Sequence, residues 1–445
     1  MGASESLTIL NKFLQFPSIS TQPEHKGDML ACAEWLKGCC EDWGLDAEVY
    51  PTEGHPVVVA RYGNDLDKKT VLIYGHYDVQ PPEPLEEWET PPFEPSEREG
   101  RIYARGSSDN KGQILAHLLG VAQALKEEGS LPVNVVFLIE GEEEIGSPSL
   151  EKFMEAHREI LRCDVIVISD TEMVAPGVPT VTYGLRGITA LEFKVTGPSH
   201  DLHSGSYGGA VMNPATAVAR LIASLHDGEG RVAVPGFYED VRPIQDWEKE
   251  AQAQIEGFED DLKKTAGVDT LFGEKGFSPI EQIGARPTAE VNGMGGGYQG
   301  EGTKTVLPKS AFAKLTFRLV PDQDPEKILD LVEAHLRTHL PKGVALEVER
   351  GHSGKAFLGD PQTPYGQSAV RAMEKVFPHP AVFIRAGGSI PIVDSFQHIF
   401  GVDVLLLGLA NSDCLAHAPN ENFLIENFMQ GIRLNQVLLR EIGED

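Results

Sequence analysis

The first 186 residues alternate continuous apolar runs with amphipathic stretches. The runs "VVVARYG" (57–63), "VLIYGHYDV" (71–79), "VNVVFLIEGEE" (133–143) and "DVIVISD" (164–170) each end in polar residues. Short β-branched runs without polar alternation predict strands buried on both faces. Between the last three lie helical patterns. "GQILAHLLGVAQALKEEG" (112–129) places Ile114, Leu115, Leu118, Leu119, Ala122 and Leu125 on one stripe, with Gly129 as terminator. "SPSLEKFMEAHREIL" (147–161) offers Ser147 as a cap and Pro148 in the first turn. This alternation predicts a layered α/β sheet covered on both faces.

The pattern changes near Gly187. "ITALEFKVTG" alternates like a half-exposed strand, residues 199–209 read as a loop, and "NPATAVARLIASLHD" (213–227) is helical. An acidic, Gly-rich stretch at about 226–304 precedes "AKLTFRLVP" (313–321), the helix "PEKILDLVEAHLRTHL" (325–340) and the strand "VALEVER" (344–350). Buried-strand character returns with "AVFIRAGG" (381–388) and "VDVLLLGLAN" (402–411), followed by a helix from about Glu421. The simplest architecture is one α/β domain built from residues 1–186 and 357–445, with an α+β domain inserted at 187–356. The Gly-rich "GMGGGYQGEG" (293–302) lacks the strand–helix context of a nucleotide-binding loop.

Composition narrows the function. A chain of 445 residues exceeds one ordinary core. Its formal net charge of -29 makes it a poor ligand for nucleic acid or anionic membranes. No apolar run is long enough to span a bilayer, and the N-terminus lacks the pattern of a signal peptide. "MGASES" fits a loose myristoylation pattern, but a Ser helix cap is the simpler reading. Five cysteines without zinc-finger spacing read as reduced thiols, which predicts a cytoplasmic protein.

Chemistry gathers after the apolar runs. His76 and Asp78 follow one, Glu142, Glu143 and Glu144 the next, then Asp170, and His417 follows the last; Asp109 precedes the helix that begins near Gly112. In open α/β sheets such positions share one edge, where ligands collect. Each residue alone has a plainer role: a strand-end His bonded to a carbonyl, a solvated acidic turn, an Asp helix cap. Two His and several carboxylates without Cys suit a pair of divalent cations, because so many carboxylates share a site only when cations neutralise them. Asp78 can lie on the His76 side of its strand and accept the ring N–H.

The segments "GHYDVQP", "RGSSDNKG", "EGEEEIGS", "ISD", "HSG" and "HAPNE", collinear from residue 76 to 421, resemble the motifs of the di-zinc exopeptidase and deacylase family. That family includes carnosinases, cytosolic non-specific dipeptidases, glutamate carboxypeptidase and aminoacylases. "YGLRGI", "KTVLP", "FRLVP", "GHSGK" and "RAGGSIP" are similar to the carnosinase-like dipeptidase branch in particular. The resemblance implies a phosphorylase/hydrolase-like zinc exopeptidase sheet with an inserted lid and dimerisation domain. It implies two divalent ions, Zn by preference with Mn or Co as alternatives. His76 and Asp170 would bind one, Glu144 and His417 the other, and Asp109 would bridge both. Asp78 would orient His76, and Glu143 would be the general base for a metal-bridged water. His203 would reach the active site of the partner in a homodimer. Arg318 would clamp the substrate carboxylate, with Thr305 and Ser389 as further contacts; His352 fits either a substrate contact or a loop-stabilising role. The implied activity is hydrolysis of dipeptides or short peptides with a free C-terminal carboxylate; the alternative is an N-acyl-amino-acid deacylase using the same metals. A non-catalytic relative would lack a ligand or the base, and here all are present.

Overall fold

The structure is a computed structural model that describes residues 2–390 and 392–444. Its larger sheet begins with β1 (Asp46–Tyr50), β2 (Val57–Tyr62), β3 (Thr70–His76), β4 (Asn134–Glu140), β5 (Val165–Ile168) and β6 (Thr180–Leu185). The chain then builds a separate sheet from β7 (Gly187–Thr196), β8 (Thr288–Gly296), β9 (Ser310–Leu319) and β10 (Ala345–Gly354). It returns with β11 (Phe357–Leu358), β12 (Val382–Ala386) and β13 (Asp403–Gly408). The nine-stranded sheet runs β1-β2-β4-β3-β5-β13-β6-β11, with β12 paired to β6; the four-stranded sheet runs β8-β9-β7-β10.

The strands of the larger sheet divide their side chains between two cores. Val71, Ile73, Val135, Phe137, Val165 and Val167 face one; Leu72, Tyr74, Val136, Leu138, Ile166 and Ile168 face the other. This period of two, with both sides apolar, is why the sequence reads as unbroken runs. Helices α1 (Ala3–Leu14), α2 (Lys26–Asp42) and α3 (Lys111–Glu128) cover the first face, and α4 (Leu150–Ala156) the second. The smaller sheet has its own core, covered by α5 (Pro214–Ala223). Three short helices follow α5: α6 (Asp246–Gln252), α7 (Phe258–Ala266) and α8 (Pro279–Gly284). Next, α9 (Pro325–His339) completes the smaller core, α10 (Pro364–Val376) and α12 (Ile425–Glu444) join the first face, and α11 (Ile392–Phe400) joins the second.

Parallel pairing fixes where the strands end. His76 lies opposite Glu140, and Tyr74 and Leu406 lie opposite Ile168. The carboxyl ends of β3, β4, β5 and β13 therefore meet at one edge.

Several sequence expectations are corrected. The α3 stripe is not a single face: every residue from Lys111 to Ala124 is buried, because α1 and α12 pack on the side away from the sheet. Ser147 does not cap α4. It adopts a φ of 53° and donates its hydroxyl to Glu140 Oε1 at 2.7 Å, and the helix starts at Leu150. The C-terminal helix starts at Ile425 rather than near Glu421, since the backbone of Asn422–Leu424 pairs with Arg101–Tyr103. The loop read at 199–209 holds a short strand and one helical turn, and the acidic stretch holds α6, α7, α8 and β8.

The α3–α12 contact rests on a close approach. A Cβ on Gly120 would meet the Ile432 carbonyl oxygen at 2.7 Å. Alanine ordinarily stabilises a helix interior by about 1 kcal/mol over glycine, but forced overpacking costs about 1–3 kcal/mol. Gly120→Ala is therefore expected to lower the urea midpoint of unfolding rather than raise it.

Candidate metal centre and active site

His76 closes β3 and is fully buried with Asp78. Its Nδ1 lies 3.1 Å from the Asp78 carbonyl oxygen and 3.3 Å from the Asp78 carboxylate. Nε2 is then turned toward Asp109 Oδ1 at 3.1 Å and Asp170 Oδ1 at 3.7 Å. Asp78 does more than orient this ring. Its carboxylate accepts the backbone N–H of Glu143 at 3.3 Å and of Glu144 at 3.1 Å, joining the end of β3 to the turn after β4.

That turn sorts its four glutamates. Glu140 is buried and accepts hydroxyls from Tyr74 at 2.6 Å and Ser147 at 2.7 Å. Glu142 is also buried; it accepts the N–H of His55 at 2.9 Å and of Ser149 at 3.1 Å, tying the loop before β2 to the segment that follows the turn. Glu143 and Glu144 begin a 3₁₀ turn that ends at Gly146 with φ 85°, a left-handed conformation that suits glycine. The tight turn brings neighbouring side chains, which would diverge on a strand, to the same edge.

Asp170 follows β5 and accepts from Asn110 Nδ2 at 2.7 Å. His417 reaches the edge from the loop after β13; its Nε2 lies 2.8 Å from Asp109 Oδ2 and 3.3 Å from Glu144 Oε2. Glu144 Oε2 also accepts from Gln80 Nε2 at 2.8 Å. Two groups of candidate ligands result, His76–Asp109–Asp170 and Asp109–Glu144–His417, each with donor atoms within 4.8 Å of one another. Asp109 belongs to both.

The electrostatics fit cations. The buried His76 Nε2 has no hydrogen-bond partner in correct geometry, an orphaned atom that a cation would satisfy. Burial disfavours the charged form of His76, yet Asp109, Asp170 and Asp78 outweigh it and hold its pKa well above the imidazole range. Hydrogen bonds to Asp109 and Glu144 push His417 up to about 10. Burial and then Asp109 push Glu144 up to about 7. Burial raises Glu143 strongly, helped by Asp170, Asp109 and Glu144. Without cations, protons do the neutralising.

A cavity of 560 Å³ opens on this edge, lined by Asp109, Glu143, Asp170 and His417 on one side and by residues 384–390 and α7 on another. Ser389 lines it and accepts from Arg318 Nη1 at 2.7 Å, so β9 of the smaller sheet reaches the cavity wall. Thr305 and His203 lie together elsewhere: Ser204 N donates to the Thr305 carbonyl at 3.0 Å, and His203 pairs with Val306. Neither they nor His352, exposed on β10, are among the described residues that line the cavity. Asn110 and Gln80 are further residues of the site, inside the same motifs; the signal in the sequence is a polar side chain one place from Asp109 and two places from Asp78.

An edge with two carboxylate–imidazole groups sharing one Asp, beside a carboxylate whose pKa burial raises strongly, is the arrangement of a metal-dependent hydrolase. The family model "Peptidase family M20/M25/M40" matches residues 72–441, and the chain belongs to that family. It is a metallopeptidase. The chain is 36% identical to "Cys-Gly metallodipeptidase DUG1" of Candida albicans over 385 residues, 85% of this chain and 79% of that protein. It is 32% identical to the human "Beta-Ala-His dipeptidase", over 87% of this chain and 78% of that protein. Among solved structures, the M20 family metallo-carboxypeptidase Sso-CP2 from Sulfolobus solfataricus superposes with a TM-score of 0.87 at 35% identity, covering 99% of this chain and 100% of the other.

The raised pKa values set how the metal-free fold responds to pH. Glu144 holds a proton in the folded state between its ordinary 4.5 and about 7, and His417 does so between 6.5 and about 10. The native state binds more protons than the unfolded chain across both windows, so its stability falls as pH rises through them. The melting temperature of chelator-treated protein is expected to fall across that range. Loading with Zn²⁺ should remove the fall, and a metal-free Glu144→Gln, His417→Gln double variant should make it shallower, with His76 and Glu143 carrying the remainder.

Proposed function

We propose that this metallopeptidase hydrolyses dipeptides or short peptides with a free C-terminal carboxylate. The observation that carries the reading is one cavity shared by the two ligand groups, Glu143 and Ser389, with the Arg318 guanidinium bonded to Ser389. Dipeptide substrates are supported by the relatives named Cys-Gly metallodipeptidase and Beta-Ala-His dipeptidase.

In this reading His76 and Asp170 hold one divalent cation, Glu144 and His417 a second, and Asp109 both; zinc suits these His and carboxylate donors, as Mn or Co would. When bound, the cations polarise the scissile carbonyl and lower the pKa of water. Glu143 takes the proton from the attacking water and passes it to the leaving amine. Its position in the turn sets it beside the ligands rather than among them. Arg318 presents a planar fork to the substrate carboxylate, with Ser389 as a second donor.

The remaining roles concern assembly. Residues 187–356 act as a lid and dimerisation unit on the catalytic part formed by 1–186 and 357–445. His203 is exposed and outside its own chain's cavity, which supports delivery to a homodimer partner, with Thr305 beside it as a further substrate contact. His352 is a weaker substrate contact on the same unit. Five free cysteines support a cytoplasmic, reducing environment. Among the described residues no helix is long and apolar enough to cross a membrane.

The test is a hydrolysis panel of α-dipeptides, β-alanyl dipeptides and N-acyl amino acids with Zn²⁺-, Mn²⁺- or Co²⁺-loaded protein. Peptides are expected to turn over, and exclusive turnover of N-acyl amino acids would assign a deacylase instead. Glu143→Gln should bind metal as the parent does and lose turnover by roughly 10²–10⁴-fold, the range of general-base catalysis. Mixing His203→Ala with Glu143→Gln chains should restore activity in heterodimers, since one site would then have both groups intact. Heterodimers that form but stay inactive count against the cross-subunit role.

A further inference from the structure

Glu421 is fully buried and takes part in none of the chemistry above. Five donors converge on its carboxylate. Oε1 accepts from Ser108 N at 2.9 Å, Ser108 Oγ at 3.0 Å and Asp109 N at 3.0 Å. Oε2 accepts from Arg105 Nη1 at 2.8 Å and Gly106 N at 2.9 Å. The Glu421 carbonyl also accepts from Ala104 N at 3.1 Å. Every residue from 104 to 109 except Ser107 is thus bonded to this one glutamate.

Its position explains why so many bonds meet there. Asp109 is the ligand shared by both groups, and its two oxygens face His76 and His417 from opposite sides. Neither Asp109 nor His417 lies on a strand of the larger sheet, so no ladder fixes their separation. His417 has φ 63°, and its loop neighbours Leu415 and Asn420 have φ 57° and 62°, conformations that non-glycine residues hold only when their surroundings enforce them. Glu421 stands four residues after His417 and bonds directly to the backbone of Asp109. With both oxygens filled by protein donors, it belongs to neither group of candidate ligands.

We propose that Glu421 is a positioning residue that sets the Asp109–His417 separation, and through it the affinity of both metal sites. The proposal rests on the reading of Asp109 as the shared ligand. Residues that orient metal ligands from behind typically contribute about 10–100-fold in affinity.

Co²⁺ binding, followed by chelator competition and by the visible d–d bands of the loaded protein, tests it on the full chain. Glu421→Gln turns an amide toward backbone N–H donors and removes the partner of Arg105. It is expected to weaken Co²⁺ binding by about 10–100-fold and to shift the d–d bands. Glu274→Gln serves as the control for general destabilisation. It breaks a well-buried fork with Arg286 far along the chain, so it should lower the melting temperature and leave Co²⁺ affinity and bands unchanged. If Glu421→Gln does not fold, Arg105→Lys is read in the same assay, with weakening expected because one ammonium cannot reproduce the guanidinium's two bonds, to Glu421 Oε2 and to the Pro81 carbonyl. Parental affinity and spectrum in the folded Glu421 variant, or in Arg105→Lys where it replaces it, overturn the proposal alone. A parent that takes up no Co²⁺, or an Asp109→Ala chain that binds like the parent, overturns the shared-ligand reading and the proposal with it.

Discussion

Too many carboxylates meet at one sheet edge for all to be charged. Asp78, Asp109, Glu143, Glu144 and Asp170 converge on two imidazoles, four of the five lining the cavity or belonging to a ligand group. Two like charges about 4 Å apart repel by about 4 kcal/mol at an effective dielectric near 20, so the cluster persists only with compensating positive charge. Protons supply it in the metal-free protein: His76 and His417 stay cationic and Glu143 is driven toward its neutral form. Divalent cations supply it otherwise, and the imidazoles must then give up their protons. The two states share one scaffold, and the cost of convergence is the same property that makes the edge a metal centre.

A scaffold that holds repelling groups must be rigid, and two devices provide this. Parallel register fixes His76, the glutamate turn and Asp170 through the ladders of β3, β4, β5 and β13. The loops have no ladder, and buried side chains replace it. Asp78 clamps the glutamate turn, Asn110 joins the backbone of His76 to Asp170, and Glu421 gathers residues 104–109. Asp78, Glu142 and Glu421 each have donors on both carboxylate oxygens, which removes them from competition for the cations.

This division explains what the sequence disclosed. The gathering of candidate ligands at strand ends is legible because apolar runs mark strands and parallel strands share an edge. Glu140, Glu142, Glu143 and Glu144 look alike in sequence but separate into a hydroxyl acceptor, a turn brace and two site residues only through the turn at Gly146 and Ser147. Ser147 was misread as a cap because its left-handed backbone leaves no trace in residue type. The helices between 226 and 304 show no apolar stripe in the sequence: α7 buries none of its residues, α6 buries only Glu248 and Gln252, and α8 is six residues long. The roles of Asn110 and Gln80 depend on partners 60 and 64 residues away, beyond any local pattern.

The Ser389 side of the cavity depends on a further constraint, the contact of the smaller sheet with the segment after β12. Arg318 comes from β9 and Ser389 from the segment after β12. Among the described residues Arg318 has no carboxylate partner, so the Ser389 hydroxyl holds a guanidinium whose charge is uncompensated in the free protein. A few residues earlier, buried Arg385 pairs with Glu248 of α6, which also accepts the Tyr183 hydroxyl at 2.6 Å. Breaking such a buried pair by removing one partner typically costs about 3–5 kcal/mol, so this tie is the stronger of the two. Arg385–Glu248 therefore anchors the segment, while Arg318–Ser389 is the weaker contact, and the one that the proposed substrate carboxylate would share or displace. If Arg318 takes the substrate carboxylate as proposed, its charge is compensated where the smaller sheet touches the segment after β12, and carboxylate recognition is coupled to that contact.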